Sequence, residues 1–123
     1  MKKFCRFLVF ILPVALVVGC QAARPELEIA PPELPPGRVG EAYTATITAS
    51  GNQTPVFLIT VDKQKLPLGL TLYYEKNERF AEIRGVPAKA GTYAFTVSAY
   101  CYGTNQSGQG GERRYQMRVR PKQ

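Results

Sequence analysis

The chain contains no histidine and no tryptophan, and its only aspartate is Asp62. Without histidine the commonest general base is missing, and neither a Ser-His-Asp nor a Cys-His arrangement can be built. A zinc site lacks ligands, and cadherin-like calcium binding needs clustered aspartates, of which the chain has one. We therefore expect no enzyme activity, no cofactor and no metal site.

Proline and glycine, in contrast, are abundant, with 10 and 11 residues in a chain of 123. The apolar fraction of 45% is normal for a globular protein, and this length allows one domain. Short apolar runs separated by proline and glycine favour strands and turns over long helices. We therefore expect a single all-β domain.

The first 19 residues have the pattern of a secretory signal. Lys2, Lys3 and Arg6 precede an apolar run over residues 7–18, which is too short for a membrane span and is interrupted by Pro13. The net charge of +7 includes these three basic residues, so the processed chain is only mildly basic. Such a charge predicts no nucleic-acid partner.

The end of this segment, Val17, Val18, Gly19 and Cys20, resembles the lipobox of bacterial lipoproteins. In that motif the cysteine is acylated on sulfur and becomes the new N-terminus. Several acyl chains make such an anchor effectively permanent. Gln21 follows, where an aspartate would resemble the inner-membrane retention signal. The resemblance therefore implies a lipid anchor on Cys20 in a bacterial outer membrane, on its periplasmic face or at the cell surface.

Residues 20–36 are predicted to form the lipidated cysteine and a tether. The segment holds five prolines, which favour an extended chain with a reach of about 40–50 Å at ~3.1 Å per residue. An alternative is that the part around Leu27 and Ile29 pairs as a first edge strand, where prolines are tolerated.

Residues 37–120 are predicted to form the Ig-like domain, and from Glu41 onward most of its short runs alternate in polarity with a period of two. The run VFLITV is continuously apolar, which favours a central strand, whereas LPLGLTL carries a proline and a glycine and predicts a bend feeding a strand. YYEKNERF predicts a hairpin with Asn77 in the left-handed turn position. About seven short antiparallel strands predict a β-sandwich. The predicted strands and turns are YTATITA (43–49), VFLITV (56–61), LPLGLTL (66–72), YYEKNERF (73–80), TYAFTVSAYCY (92–102) and RRYQMRVR (113–120).

Four pieces of this region resemble the He_PIG type of bacterial Ig-like domain. They are LPPGRVGEAYTATITASG, LPLGLTL, IRGVPAKAGTYAFTVSA and YQMRV, in the order and spacing of that family between residues 34 and 120. The resemblance implies an Ig-like or cadherin-like sandwich with extracytoplasmic binding or spacing roles and no chemistry. Gly91, Thr92 and Tyr93 also resemble the tyrosine corner of Ig sandwiches, in which the tyrosine hydroxyl bonds nearby backbone.

A candidate binding surface lies on the last two predicted strands. Their outward faces carry Tyr100 and Tyr102 on one strand and Arg114 and Arg118 on the other, and residues 103–112 form a polar loop between them. Tyrosine and arginine are over-represented in binding hot spots, and long loops at sandwich ends often bind partners. The alternatives are that the arginines only prevent a strand edge from pairing with another chain, and that the loop has no function.

Cys101 is the only thiol left after processing, because Cys5 belongs to the signal and Cys20 to the anchor. It has the inward parity of Phe95 and Val97, which predicts a buried core residue. The alternative is an intermolecular disulfide.

We expect an outer-membrane lipoprotein whose single Ig-like domain is a non-enzymatic binding or envelope-complex assembly module. Its expected partners are the membrane through Cys20 and an envelope protein. Two alternatives are a glycan- or peptidoglycan-binding module that uses the tyrosines and an inhibitor that inserts loop 103–112 into a host enzyme. If the tyrosines and the loop prove irrelevant, the binding face is expected on the opposite sheet.

Overall fold

The computed structural model describes residues 25–105 and 107–123, so the predicted signal 1–19 and Cys20 lie outside the described residues. Within these ranges eight strands form two four-stranded sheets, ordered β1-β3-β6-β5 and β2-β8-β7-β4, joined in part by a short 3-10 helix over Lys63–Lys65. The predicted all-β, Ig-like sandwich is thus confirmed. The strands are β1 Glu28–Ala30, β2 Gly37–Arg38, β3 Tyr43–Ser50, β4 Val56–Val61, β5 Leu70–Tyr73, β6 Phe80–Gly85, β7 Gly91–Cys101 and β8 Gly110–Arg120.

The core lies between the sheets and is filled by alternate residues of the long strands. Every second side chain is buried along β3, from Phe95 onward in β7 and from Tyr115 onward in β8, as the period of two predicted. The rings of Phe95 and Tyr115 meet at the centre with their centroids 6.0 Å apart. The other large, fully buried side chains are Ile47, Ile83, Met117, Val56, Val97 and Val119.

The LPLGLTL segment is the bend that the sequence predicted. Gly69 has φ 95° and packs against the backbone of β6, where Gly85 has φ 145°. A Cβ on Gly69 would lie 2.0 Å from the Val86 carbonyl oxygen, and one on Gly85 would lie 2.0 Å from the Gly69 oxygen. The two backbones can approach this closely only because both positions are glycine. β5 then pairs antiparallel with β6 through a hairpin whose turn holds Asn77 at φ 72°, as predicted.

The prediction that VFLITV forms a central strand was wrong. This strand, β4, is the edge of its sheet and pairs only with β7. Val56, Ile59 and Val61 are buried, whereas Phe57 and Leu58 are not. The apolar run therefore does not indicate burial on both faces here, because Phe57 and Leu58 lie on the outer side of an edge strand.

Residues 25–36 belong to the sandwich, which corrects the boundary placed at residue 37. β1 pairs antiparallel with β3, as the edge-strand alternative proposed, and β2 pairs parallel with β8. Leu27, Ile29 and Leu34 are buried in the core. The prolines are compatible with this path because the segment runs along sheet edges, where missing N–H donors cost little.

Side chains from β8 and the residue before it hold this segment in place, and we call Gln109, Arg113 and Tyr115 the clamp. Gln109 Nε2 donates to the Pro25 carbonyl at 2.8 Å. Arg113 Nε donates to the Ile29 carbonyl at 2.6 Å, and the Tyr115 hydroxyl donates to the Pro31 carbonyl at 2.7 Å. The Leu27 amide adds a backbone bond of 3.2 Å to the Gly110 carbonyl. The first strand thereby joins the two sheets.

Gln109 is a buried polar residue, with 3% of its surface exposed. Its amide nitrogen also donates to the Gly51 carbonyl at 3.1 Å, and its oxygen accepts from the Gln53 amide at 2.6 Å. One side chain therefore satisfies backbone groups of the N-terminal segment and of the β3–β4 loop.

Other tyrosine hydroxyls bond nearby carbonyls in the same way. Tyr93 donates to the Lys89 carbonyl at 2.8 Å, which is the predicted corner bond. Tyr43 donates to the Pro35 carbonyl at 2.8 Å, and burial raises the pKa of Tyr43 to about 12. Burial also raises the pKa of Tyr115, with the positive charge of Arg113 opposing the shift.

We expect Gln109→Ala to lower the free energy of unfolding by about 2–3 kcal/mol, because it leaves buried backbone groups without hydrogen bonds. Chemical denaturation measures this change. Gln116→Ala is the matched control, since Gln116 lies on the exposed face of β8 and its loss should cost no more than about 0.5 kcal/mol. Equal losses from the two variants would contradict the clamp.

Candidate binding surface

Tyr100 and Tyr102 lie at the end of β7, with 43% and 40% of their surfaces exposed. The Phe57 ring lies beside both, with centroid distances of 6.4 Å to Tyr100 and 5.1 Å to Tyr102. Leu58 is directly opposite Tyr100 across the β4–β7 pair and is also exposed. We call Phe57, Leu58, Tyr100 and Tyr102 the aromatic patch.

A β-bulge in β4 creates this patch. Val56 pairs with Cys101 and Leu58 pairs with Tyr100, so Phe57 is an extra residue on the β4 side. The extra residue shifts the alternation, which keeps Val56 in the core and turns Leu58 outward. Phe57 and Leu58 were not predicted as binding residues, because the continuous apolar run VFLITV indicated a central strand. The sequence signal for these two residues was the apolar run itself, which on an edge strand places apolar side chains at the surface.

Tyr102 has a structural role as well as an exposed ring. Its hydroxyl donates to Asn77 Oδ1 in the β5–β6 turn at 2.6 Å. Its amide donates to the Pro55 carbonyl, and its own carbonyl accepts from Thr54 Oγ1 at 2.6 Å. The patch is therefore held against both neighbouring loops, and Tyr102 is a poorer residue than Tyr100 for testing binding alone.

The structure does not bring Arg114 and Arg118 to the tyrosines. Tyr100 is opposite Gly110, Arg114 is opposite Thr96 and Arg118 is opposite Thr92. At ~3.4 Å per residue these arginines lie about 14 Å and about 27 Å along the strand from Tyr100. Both arginines lie on the same outer face as Tyr100, as the alternation along the strands predicted. The register of the β7–β8 hairpin, however, places them far from Tyr100 along the strands.

The charged side chains beside Tyr100 are acidic instead. A shallow cavity of about 250 Å³ next to Tyr100 is lined by Glu26 and Glu112 together with Ser98 and two glycines, Gly110 and Gly111. Both carboxylates are exposed. The clamp brings Glu26 to this position from the N-terminal segment, which explains why the strand pattern alone could not place it.

The predicted loop 103–112 is shorter than expected and is anchored. β8 already begins at Gly110, and Gln109 is buried. The Cys101 amide donates to the Gln109 carbonyl at 2.8 Å. A Cβ on Gly108 would lie 2.1 Å from the Cys101 carbonyl oxygen, so glycine is needed there. An inhibitory loop would have to use the few exposed positions that remain.

Cys101 is buried in the core, as its parity predicted. Burial keeps the sulfur away from solvent, so an intermolecular disulfide would require local opening of the end of β7.

Two further findings concern residues 25–105 and 107–123. Among them no helix has the length and apolarity needed to cross a membrane. In the same part of the chain, no three side chains of the types that ligate metals cluster together.

The two packed sheets, the tyrosine corner and the Gly69–Gly85 contact are the structural counterparts of the family pattern. The sequence pattern of the He_PIG family, described as "Putative Ig domain", matches residues 26–120. The chain belongs to this family. No curated protein is detectably similar to it in sequence.

The He_PIG match begins at residue 26 and therefore includes β1 and most of the segment that the clamp holds. It ends at residue 120, the last residue of β8. The family domain and the observed sandwich thus have the same extent, and the aromatic patch lies within it.

Proposed function

We propose that this He_PIG domain is a non-enzymatic binding module of a bacterial outer membrane, held by lipid on Cys20, which assembles with an envelope protein through the aromatic patch. The observation that carries the proposal is the cluster of a half-buried Phe57 with the exposed side chains of Leu58, Tyr100 and Tyr102, at the end of the sandwich that contains Pro25. The absence of histidine supports a role without catalysis.

The chemistry of the patch suits a protein partner. Tyrosine and phenylalanine offer large and fairly rigid contact areas, and they are enriched at the centres of interfaces. Contacts of Phe57 with Tyr100 and Tyr102 hold the rings before binding, which lowers the entropy lost on association. A patch of exposed aromatic residues with a polar border is typical of an interaction site.

The charge at the border favours a basic partner surface. Glu26 and Glu112 flank Tyr100, whereas Arg114 lies about 14 Å away at ~3.4 Å per residue. Complementary charges at a rim direct association and orientation more than they add affinity. The matching surface is therefore an apolar pocket bordered by lysine or arginine.

A lipid anchor on Cys20 would lie nearest to the end of the domain at which the clamp holds Pro25. Gln109 bonds both Pro25 and Gly51, and Tyr102 bonds the 74–79 turn, so the N-terminal segment and the loops 51–55, 74–79 and 102–109 share one end. Only residues 21–24 separate Cys20 from Pro25, a span of at most about 18 Å. An acylated Cys20 would hold this end close to the headgroups.

This short distance restricts the partner. The aromatic patch lies beside the anchored end, so a partner that covers it must itself reach the membrane surface. An integral or membrane-bound envelope protein meets this condition, which favours an assembly role over capture of a distant ligand.

The anchor is tested by labelling cells with a radioactive or clickable fatty acid. The wild-type chain should carry the label and fractionate with the outer membrane, because acylation makes membrane release very slow. Cys20→Ala should carry no label and should lose stable membrane association. An unlabelled wild-type chain would refute the anchor while leaving the patch open to its own test.

The patch is tested by photo-crosslinking in intact cells. A photoreactive amino acid at Leu58 should give one discrete protein adduct, and the same probe at Thr71, an exposed site on the other sheet, should not. Tyr100→Ala should weaken the complex by about 2 kcal/mol or more without changing the melting temperature appreciably. The proposed surface would be contradicted if the probes at Leu58 and Thr71 gave the adduct in equal yield. It would also be contradicted if the Leu58 probe kept its full adduct yield in the Tyr100→Ala variant.

A further inference from the structure

The outer face of the β1-β3-β6-β5 sheet carries a second pair of exposed rings. Tyr73 and Phe80 expose 50% and 47% of their surfaces, although both lie in regular strands. Tyr73 is directly opposite Glu82 on the neighbouring strand, and Phe80 lies two positions before Glu82 on that strand. The two rings therefore flank one carboxylate.

Arg84 organises this face. Its guanidinium carbon lies 4.1 Å from the centroid of the Tyr73 ring, in a cation–π contact. Its Nε lies 3.2 Å from Glu82 Oε2. Arg84 thus holds the ring and the carboxylate together, while both charged side chains stay partly exposed. The groups form an ordered row of ring, guanidinium and carboxylate.

The row lines an open groove of about 390 Å³, whose lining residues are Tyr73, Tyr74, Glu75, Phe80, Glu82 and Arg84. This volume falls within the roughly 300–1,000 Å³ of small-molecule sites. The Tyr74 hydroxyl is already used in a hydrogen bond of 3.1 Å to the Glu78 carbonyl, so it stabilises the wall of the groove.

The charges of the groove select its ligand. Because Arg84 and Glu82 pair, their charges largely cancel, yet the guanidinium keeps donors and the carboxylate keeps acceptors for a third group. The exposed carboxylate of Glu75 gives the lining one net negative charge, which further disfavours an anion. An anion would have to compete with Glu82, and a cation with Arg84. A neutral ring with many hydroxyls needs neither charge, since its hydroxyls both donate and accept and its C–H faces pack on aromatic rings.

We propose that this groove binds a neutral oligosaccharide, with Tyr73 and Phe80 packing against sugar rings and Glu82 and Arg84 bonding hydroxyls. A protein partner fits less well, because the charged pair interrupts the apolar surface that an interface core requires. The groove lies on the sheet opposite the one that carries Phe57, Leu58 and Tyr100 of the aromatic patch.

The test uses the full processed chain, solubilised in a zwitterionic detergent that carries no sugar. Three neutral probes, an N-acetylglucosamine tetramer, cellotetraose and maltotetraose, are titrated by calorimetry and by NMR of the aromatic side chains. At least one should bind saturably and shift the ring signals of Tyr73 and Phe80. Tyr73→Ala and Phe80→Ala should each weaken binding at least about tenfold.

Tyr100→Ala is the matched control, because it removes an exposed tyrosine of the opposite sheet. Binding should persist in this variant, and melting curves should show that all three variants are folded. The inference is overturned if none of the three saccharides binds, or if Tyr100→Ala weakens binding as much as Tyr73→Ala. It is also overturned if Tyr73→Ala removes a protein crosslink while saccharide binding is unchanged.

Discussion

The hydrogen bonds that Gln109, Arg113 and Tyr115 donate to the carbonyls of Pro25, Ile29 and Pro31 fix where the chain enters the sandwich. A segment rich in proline has few amide donors, so its strand pairings with β3 and β8 are short. Side-chain donors from β8 and from the residue before it add to these pairings. Because β1 pairs with one sheet while the clamp belongs to the other, the same bonds hold the two sheets together.

The position of the entry point decides how the proposed surfaces are presented. With Pro25 fixed beside Gly51, the loops 51–55, 74–79 and 102–109 lie at the same end of the sandwich as Pro25. The aromatic patch lies at this end, where the bulge at Phe57 exposes apolar side chains of an edge strand. The groove for which a saccharide ligand is proposed opens on the other sheet. A domain held by a short N-terminal linker would thus present one surface to a membrane-bound protein and another to a glycan.

Sequence reasoning recovered what local alternation and turn chemistry control. The inward residues of β3, β7 and β8 and the left-handed turn at Asn77 depend on near neighbours in the chain. The predictions that failed concern features set by strand pairing or contacts between residues far apart in the sequence. Period and apolarity cannot distinguish an edge strand from a central one, so β4 was misplaced. Strand parity put Arg118 on the face of Tyr100, but only the hairpin register shows their separation. Gln109 acts through partners up to 84 residues away, and nothing in its local sequence indicates them.

Native-state hydrogen exchange at the Leu27 amide tests most directly whether the N-terminal segment is part of the sandwich. This amide donates to the Gly110 carbonyl at 3.2 Å and belongs to a buried residue. If the clamp holds, Leu27 should exchange only in the large opening events that also expose central strands, so its protection should approach that of Ile47. Exchange of Leu27 at the rate of an unprotected peptide, while Ile47 remains protected, would show a tether outside the domain and would contradict the account.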